Sequence, residues 1–263
     1  MKDRFTQRLM LMILAAVFAF LYIPISVLFA LSFNESGLPT AWTSFSTKWY
    51  GALLVNGDIM GAALNTLVVA IISTVLATVL GSLLAVGVEI RRRKGRLIET
   101  IIFAPMIIPD IVLAIALLSF FSLLNVTMGL HTIIVSHVVF NLAFVCSVVR
   151  ARLKSFDWSI VEASSDLGAS LPVTLWRVVL PVVLPAVIAG ALLAFTLSVD
   201  EFIIAFFTAG AGRDSITLPM QIFAMIRFGV TPEINALAVI VMSVSVAALA
   251  LSQRLNRGGL PGQ

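Results

Sequence analysis

Long apolar runs separated by short polar breaks set the frame of this chain. Runs over residues 9–33, 62–88, 97–124, 131–149, 182–209 and 234–251 are each long enough for a membrane-crossing helix, which needs roughly 20 apolar residues. The pattern predicts an all-α integral membrane protein with six transmembrane helices. The first run follows Lys2, Arg4 and Arg8. It is longer than the apolar core of a signal peptide and lacks a small-x-small cleavage site, so it is expected to be retained as a span. Pro24 is expected to kink it. Between the first two runs, Phe45, Trp49 and Leu53 fall on one helical face and predict a short helix lying at the membrane surface. Trp42, Trp49 and Tyr50 serve there as interface anchors. The expected organisation is a first span with its surface helix over 1–61, a core of five spans over 62–253, and a tail over 254–263.

The longest moderately polar piece between two strongly apolar runs is 159–181. Ser159 followed by Glu162 has capping-box spacing and predicts a short helix. Gly168 suits its end, where a left-handed residue is often required. Ser170 offers a second cap and Pro172 fits the first turn of a second helix, which Leu180-Pro181 is expected to end. Helix, tight turn and helix therefore lie outside the bilayer.

Charge decides which side. With six spans, one side collects Lys2, Arg4, Arg8, the cluster Arg91, Arg92, Arg93, Lys94 and Arg96, then Arg150, Arg152, Lys154, Arg177, Arg254 and Arg257. The other side holds only Lys48, Arg213 and Arg227. The positive-inside rule then puts both termini and the 159–181 loop in the cytoplasm. Composition agrees with the class: 60% of residues are hydrophobic, 11% are charged, and mean hydropathy is +1.10. Such a chain cannot hide its apolar surface in one water-soluble core. The net charge of +4 comes from residues beside apolar runs, which argues for lipid as its environment and against nucleic acid. The lone Cys146 lies in an apolar run, leaving neither a disulfide framework nor a thiol-rich metal site.

Enzyme chemistry has little to work with. The sequence holds no phosphate-binding Gly-rich loop, and His131 and His137 lack metal-ligand spacing, so neither cofactor nor metal is expected. His137, within the fourth run, is expected to be a hydrogen-bonded structural residue. The informative polar groups are acids inside apolar runs. Asp110 falls about thirteen residues into the third run, roughly 20 Å along a continuous helix, and so near mid-membrane. Asp200 and Glu201 lie in the outer half of the fifth run. An acid at the centre of a span costs about 2.5–3.5 kcal/mol on insertion scales and needs a partner or an aqueous path. No intramembrane Lys or Arg faces them, which favours a path for a cation. Pairing of Asp200 and Glu201 with Arg213 or Arg227 is the competing reading. Adjacent helical residues point about 100° apart, so one of the two acids faces a narrow path, with Asp200 preferred over Glu201. Pro105 and Pro109 break the third run beside Asp110 and are gate or kink candidates. Gly81, Gly87, Gly190 and Ala191 are read as close-packing residues.

Glu162, Ala163, Gly168, Leu180 and Pro181 stand at the spacing of the EAA loop of ABC-importer permeases, with Ser164 and Val178 as mild departures. Phe45–Tyr50, Pro109–Val112, Ser155–Asp157, Asp166–Ala169, Phe195–Asp200 and Thr231–Ala236 resemble the second permease subunit of spermidine/putrescine importers, a likeness running from about Tyr22 to Gln253. The resemblance implies a type I importer permease in a bacterial inner membrane, whose 159–181 loop is a coupling helix docking on a cytoplasmic ATPase dimer. It further implies a second, related permease subunit, a periplasmic solute-binding protein and a cationic polyamine as substrate. Permeases for another small solute share the loop. A channel or secondary transporter would share the spans but has no use for the loop.

Overall fold

In chain order, the computed structural model has α1 (Lys2–Leu31), α2 (Lys48–Val55), α3 (Gly57–Ile90), α4 (Arg96–Ile107), α5 (Asp110–Leu123), α6 (Leu130–Leu153), α7 (Ser159–Asp166) and α8 (Leu171–Thr174). A π-helical turn over Leu175–Val179 leads into α9 (Leu180–Asp200), followed by α10 (Ile203–Thr208), a 3-10 turn (Arg213–Ser215), α11 (Leu218–Ile226) and α12 (Pro232–Arg257). The described residues are 2–37, 42–90, 96–227 and 229–257. Arg91–Lys94 of the basic cluster and the last six residues of the expected tail lie outside them. The fold is all-α, as the hydropathy pattern predicts. Among the described residues four helices are long and apolar enough to cross a membrane, or five if α4 and α5 count as one bent span. The described apolar stretch of α12, Pro232–Val244, is shorter.

The chain divides into two compact units. One comprises residues 1–60 with 222–263. In it α12 packs on α1 and α2, burying Leu53 of α2 and Ile234, Ala236 and Leu237 of α12. The link from α1 to α2 is fixed by Asn34, whose side-chain oxygen accepts from the Thr43 backbone at 3.0 Å. The Asn34 carbonyl accepts from the Trp49 indole at 2.8 Å. The surface helix forms, but it starts at Lys48. Phe45 precedes it in an isolated β-bridge with Asn34, its ring stacked on Phe33, and so leaves the helical face expected for it.

The other unit, residues 61–221, carries the candidate site. Its centre is the contact of α6 with α9 and α3. A Cβ on Gly81 of α3 would meet the Val145 side chain of α6 at 2.9 Å and the Leu142 carbonyl at 3.0 Å, so only glycine permits this approach. Gly190 of α9 reaches the same Val145 at ordinary contact distance, whereas Gly87 faces open space and packs nothing. Ala77, Val145, Val149, Val183 and Ala194 fill the interface.

One expected break is present in the third run, the fifth run, expected to be continuous, is broken, and a further expected break is absent. Between Ile107 and Asp110 the chain turns by 114°. Pro109 cannot donate a helical hydrogen bond and disfavours helix at Ile108, so α5 starts afresh. The mid-membrane depth of Asp110, which assumed a straight helix, therefore has no support. The fifth run divides at Glu201, whose backbone is extended (ψ 116°) between α9 and α10. Conversely, Leu180-Pro181 ends nothing: residues 171–200 form one 30-residue helical run. The Pro181 ring would crowd the Arg177 carbonyl in a regular α-turn. The backbone widens there into a π-turn closed by Leu180 N–H on Leu175 O, and the helix continues.

Candidate functional site: coupling loop and acid pair

The exposed loop is built from local hydrogen bonds. α7 begins at Ser159, as the spacing predicts, but without the capping box; Asp157 takes that role, accepting from Ser159 N at 3.0 Å. Hydrogen bonds from Ser159 hold the Asp157 carboxyl below its usual range. At the far end, Gly168 has φ +82°. Gly168 N–H donates to Ser165 O at 2.9 Å, and Ala169 N–H to Ser164 O at 3.1 Å. These two bonds with a left-handed residue make a Schellman ending, the reason for glycine there. Ser164 and Thr174 hydroxyls, 2.9 Å apart, tie α7 to α8. Apolar side chains are left outside: Leu167 is 89% exposed and Trp176 73%. Ile160 and Leu171 are exposed as well. Glu162 and Asp166 are on α7, Ala163 between them, and Leu180 and Pro181 open α9. Underneath, Phe156, Trp158 and Val161 pack into the core with Leu153 and Val179, so the loop rests on α6 and on the π-turn.

At this end of α6 sequence reasoning missed a charge cluster. Arg150 Nε donates to Glu89 Oε1 at 2.8 Å, its Nη2 bonds to Glu99, and its guanidinium lies 5.8 Å from the Phe103 ring. One arginine thereby joins α3, α4 and α6 directly before the exposed loop. The signal was present as acids flanking the basic cluster, but Arg150 also served as a topology marker and was read only as that. The Glu89 side chain is 3% exposed, and removing one partner of a buried pair costs about 3–5 kcal/mol. Arg150→Gln is expected to lower the melting temperature of the detergent-purified protein. Arg150→Lys should recover only part of the loss, because a point charge cannot bridge two carboxylates as a planar fork does. Equal melting of Arg150→Gln and the parent chain would contradict this role.

The three acids separate into a pair and an outlier. Asp110 is the first residue of α5, and Glu201 sits just before α10. These two helices pack together through Ala114, Leu117 and Phe121 on one side and Ile203, Ile204 and Phe207 on the other. The packing brings Asp110 within electrostatic reach of Glu201. Glu201 Oε1 accepts from Ile204 N–H at 2.7 Å and so caps α10. Both carboxylates are half-buried, whereas Asp200 is exposed. Because the helix ends at Asp200, the 100° helical offset does not relate it to Glu201. Among the described residues neither Asp110 nor Glu201 is ion-paired with Arg213. Pro109 caps α5, its carbonyl accepting from Val112 and Leu113, and so fixes where Asp110 stands; Pro105 remains inside α4 without breaking it. His137 is buried, as expected, and bonds to Ser198 at 2.7 Å. Among the described residues no cluster of groups suited to a metal ion occurs.

Residues 77–257 match the family described as the binding-protein-dependent transport system inner membrane component. The chain is 40% identical over 250 residues to the spermidine/putrescine transport system permease protein PotC of Escherichia coli, covering 95% of this chain and 94% of that protein. It is also 40% identical over 240 residues to the putrescine transport system permease protein PotI of Escherichia coli, covering 88% and 85% respectively. Its fold is similar to a chain of a bacterial ABC transporter involved in the import of the acidic polysaccharide alginate. There the TM-score is 0.76 at 17% identity, over 96% of this chain and 97% of the other. The chain belongs to the inner-membrane permease components of binding-protein-dependent transport systems, and is a transport subunit rather than an enzyme.

Proposed function

We propose that this chain provides half of the translocation path for polyamines, spermidine or putrescine, in an ATP-driven importer of a bacterial inner membrane. The observation that carries the substrate class is its 40% identity, over nearly its whole length, to a spermidine/putrescine permease. The acid pair Asp110–Glu201 supports it independently, because partly buried carboxylates with no ion-pair partner among the described residues suit a cation that sheds water in passing. The partners are a cytoplasmic ATPase dimer on the 159–181 loop, a second related permease, and a periplasmic solute-binding protein. Glu162, Ala163, Asp166, Gly168, Leu180 and Pro181 belong to the ATPase-coupling segment. Asp110, Asp200 and Glu201 belong to the path, and Pro105 and Pro109 to its kink or gate. Uptake of radiolabelled spermidine and putrescine by cells lacking this chain, with and without its restoration, tests the reading. Restored uptake of neither polyamine would refute it, and co-purification of an ATP-hydrolysing subunit separates it from a channel or secondary transporter.

Six spans with both termini cytoplasmic complete the proposal, with α12 as the sixth. Its support is the charge asymmetry, since all but three of the 17 lysines and arginines share one side. In a Cys146→Ser background, single cysteines at Ser165 and Arg152 are expected to resist an impermeant thiol reagent on intact spheroplasts. Cysteines at Lys48 and Arg213 are expected to react. Labelling of position 165 from outside would overturn both the topology and the docking role of the loop.

A further inference from the structure

Glu201 lies in a two-residue link between helices that are each tied to α6. On one side, the last turn of α9 is held through Ser198, whose Oγ is 2.7 Å from His137 Nδ1 and 3.0 Å from Ser73 Oγ of α3. On the other, the last residue of α10 is held through Thr132, whose hydroxyl donates to Thr208 O at 2.6 Å. His137 and Thr132 are five residues apart on one helix and both are buried. About two turns farther along, the same α6–α9 interface is apolar and close-packed, with Val145 against Gly190. Packing alone therefore does not call for a histidine. The ring Nε2 has no hydrogen-bond partner among the described residues, and an unpaired buried polar atom weakens a fold. The polar contact is kept despite that cost, three residues before an acid whose position depends on where α9 stops.

We propose that His137 is a positioning residue for polyamine passage: through Ser198 it fixes the end of α9, and with it the Glu201 carboxylate beside Asp110. The inference rests on the reading of Glu201 as a path residue. It is specific in chemistry, because the bond is made by Nδ1. The asparagine amide occupies nearly the same place as Nδ1, whereas the glutamine amide reaches toward the place of Nε2.

The test is polyamine uptake by the complete importer carrying His137→Leu, His137→Asn or His137→Gln, each alone and with Glu201→Gln, with the membrane abundance of assembled complex measured in parallel. His137→Leu and His137→Gln should each raise the half-saturating polyamine concentration about fivefold, and His137→Asn should restore it to within about twofold. In the Glu201→Gln background His137→Leu should add less than about twofold, because both changes act on one carboxylate. Equal fold-losses in the two backgrounds, failure of Asn to rescue, or unchanged uptake in His137→Leu would each overturn the inference while leaving the acid pair standing. Loss of assembled complex in both His137→Leu and His137→Asn would overturn it in favour of a packing role. Wild-type uptake in Glu201→Gln alone would remove the acid reading and this inference together.

Discussion

Gly168→Asp is expected to leave the protein inserted and assembled with its partner permease while transport falls to background. Gly168 has φ +82°, where a side chain is strained by about 1–2 kcal/mol. A Cβ there would meet nothing within 4 Å of this chain, so no steric clash is added to that backbone strain. Aspartate adds a negative charge at the carbonyl end of α7, which the helix dipole disfavours by a further 0.3–1 kcal/mol or so. Neither sum unfolds a polytopic helix bundle. The larger effect comes from outside the chain. The turn stands between the exposed Leu167 and Leu171, and on the proposed docking role a side chain there would occupy space that the ATPase needs. Gly168→Asn separates the two causes, since asparagine tolerates the left-handed backbone but keeps the bulk. It should fail nearly as completely as aspartate, whereas Gly168→Ala should retain part of the activity. ATP hydrolysis stimulated by loaded binding protein, together with uptake, is the measurement. A fully assembled Gly168→Asp transporter with normal uptake would disprove the coupling assignment.

What could be read in the sequence was whatever depends on neighbours in the chain. The Gly168 ending and the start of α7 at Ser159 follow from side-chain and backbone groups within five residues. They came out in the expected places, although the cap came from Asp157. Pro109 also acted locally, as a restart of the helix. Pro181 was read by the same rule and misjudged, because a helix has a second answer to an internal proline: it can widen into a π-turn. The meeting of Asp110 with Glu201 is of another kind. It depends on α5 packing against α10, and no spacing of ninety-one residues announces it. The Arg150 cluster was hidden for the opposite reason, since a residue already explained by topology invites no second explanation. The association of α12 with the first 60 residues likewise follows from apolar faces whose partners hydropathy cannot name.

The second large effect is expected at the acid pair. Two half-buried carboxylates in reach of one another repel, and among the described residues neither has a basic partner in its unit. A polyamine presents several ammonium groups, so on the proposed path one molecule would relieve both acids, and they would replace part of the water it has lost. Glu201→Gln removes the charge while its side-chain oxygen can still accept from Ile204 N–H, so α10 keeps its cap. Asp110→Asn likewise keeps shape at the head of α5. Each single variant is expected to lower polyamine uptake about tenfold, equivalent to about 1.4 kcal/mol. The double variant should fall further, but by less than the roughly hundredfold product of the two, because both acids are proposed to act on one cation. Asp200→Asn, at the exposed neighbour that sequence reasoning preferred, is expected to have the smaller effect. ATPase association and membrane abundance should be unchanged in all of them. A reduction of assembled protein in step with uptake would mean that the acids serve packing only. Wild-type uptake in the double variant would mean that the cation passes elsewhere.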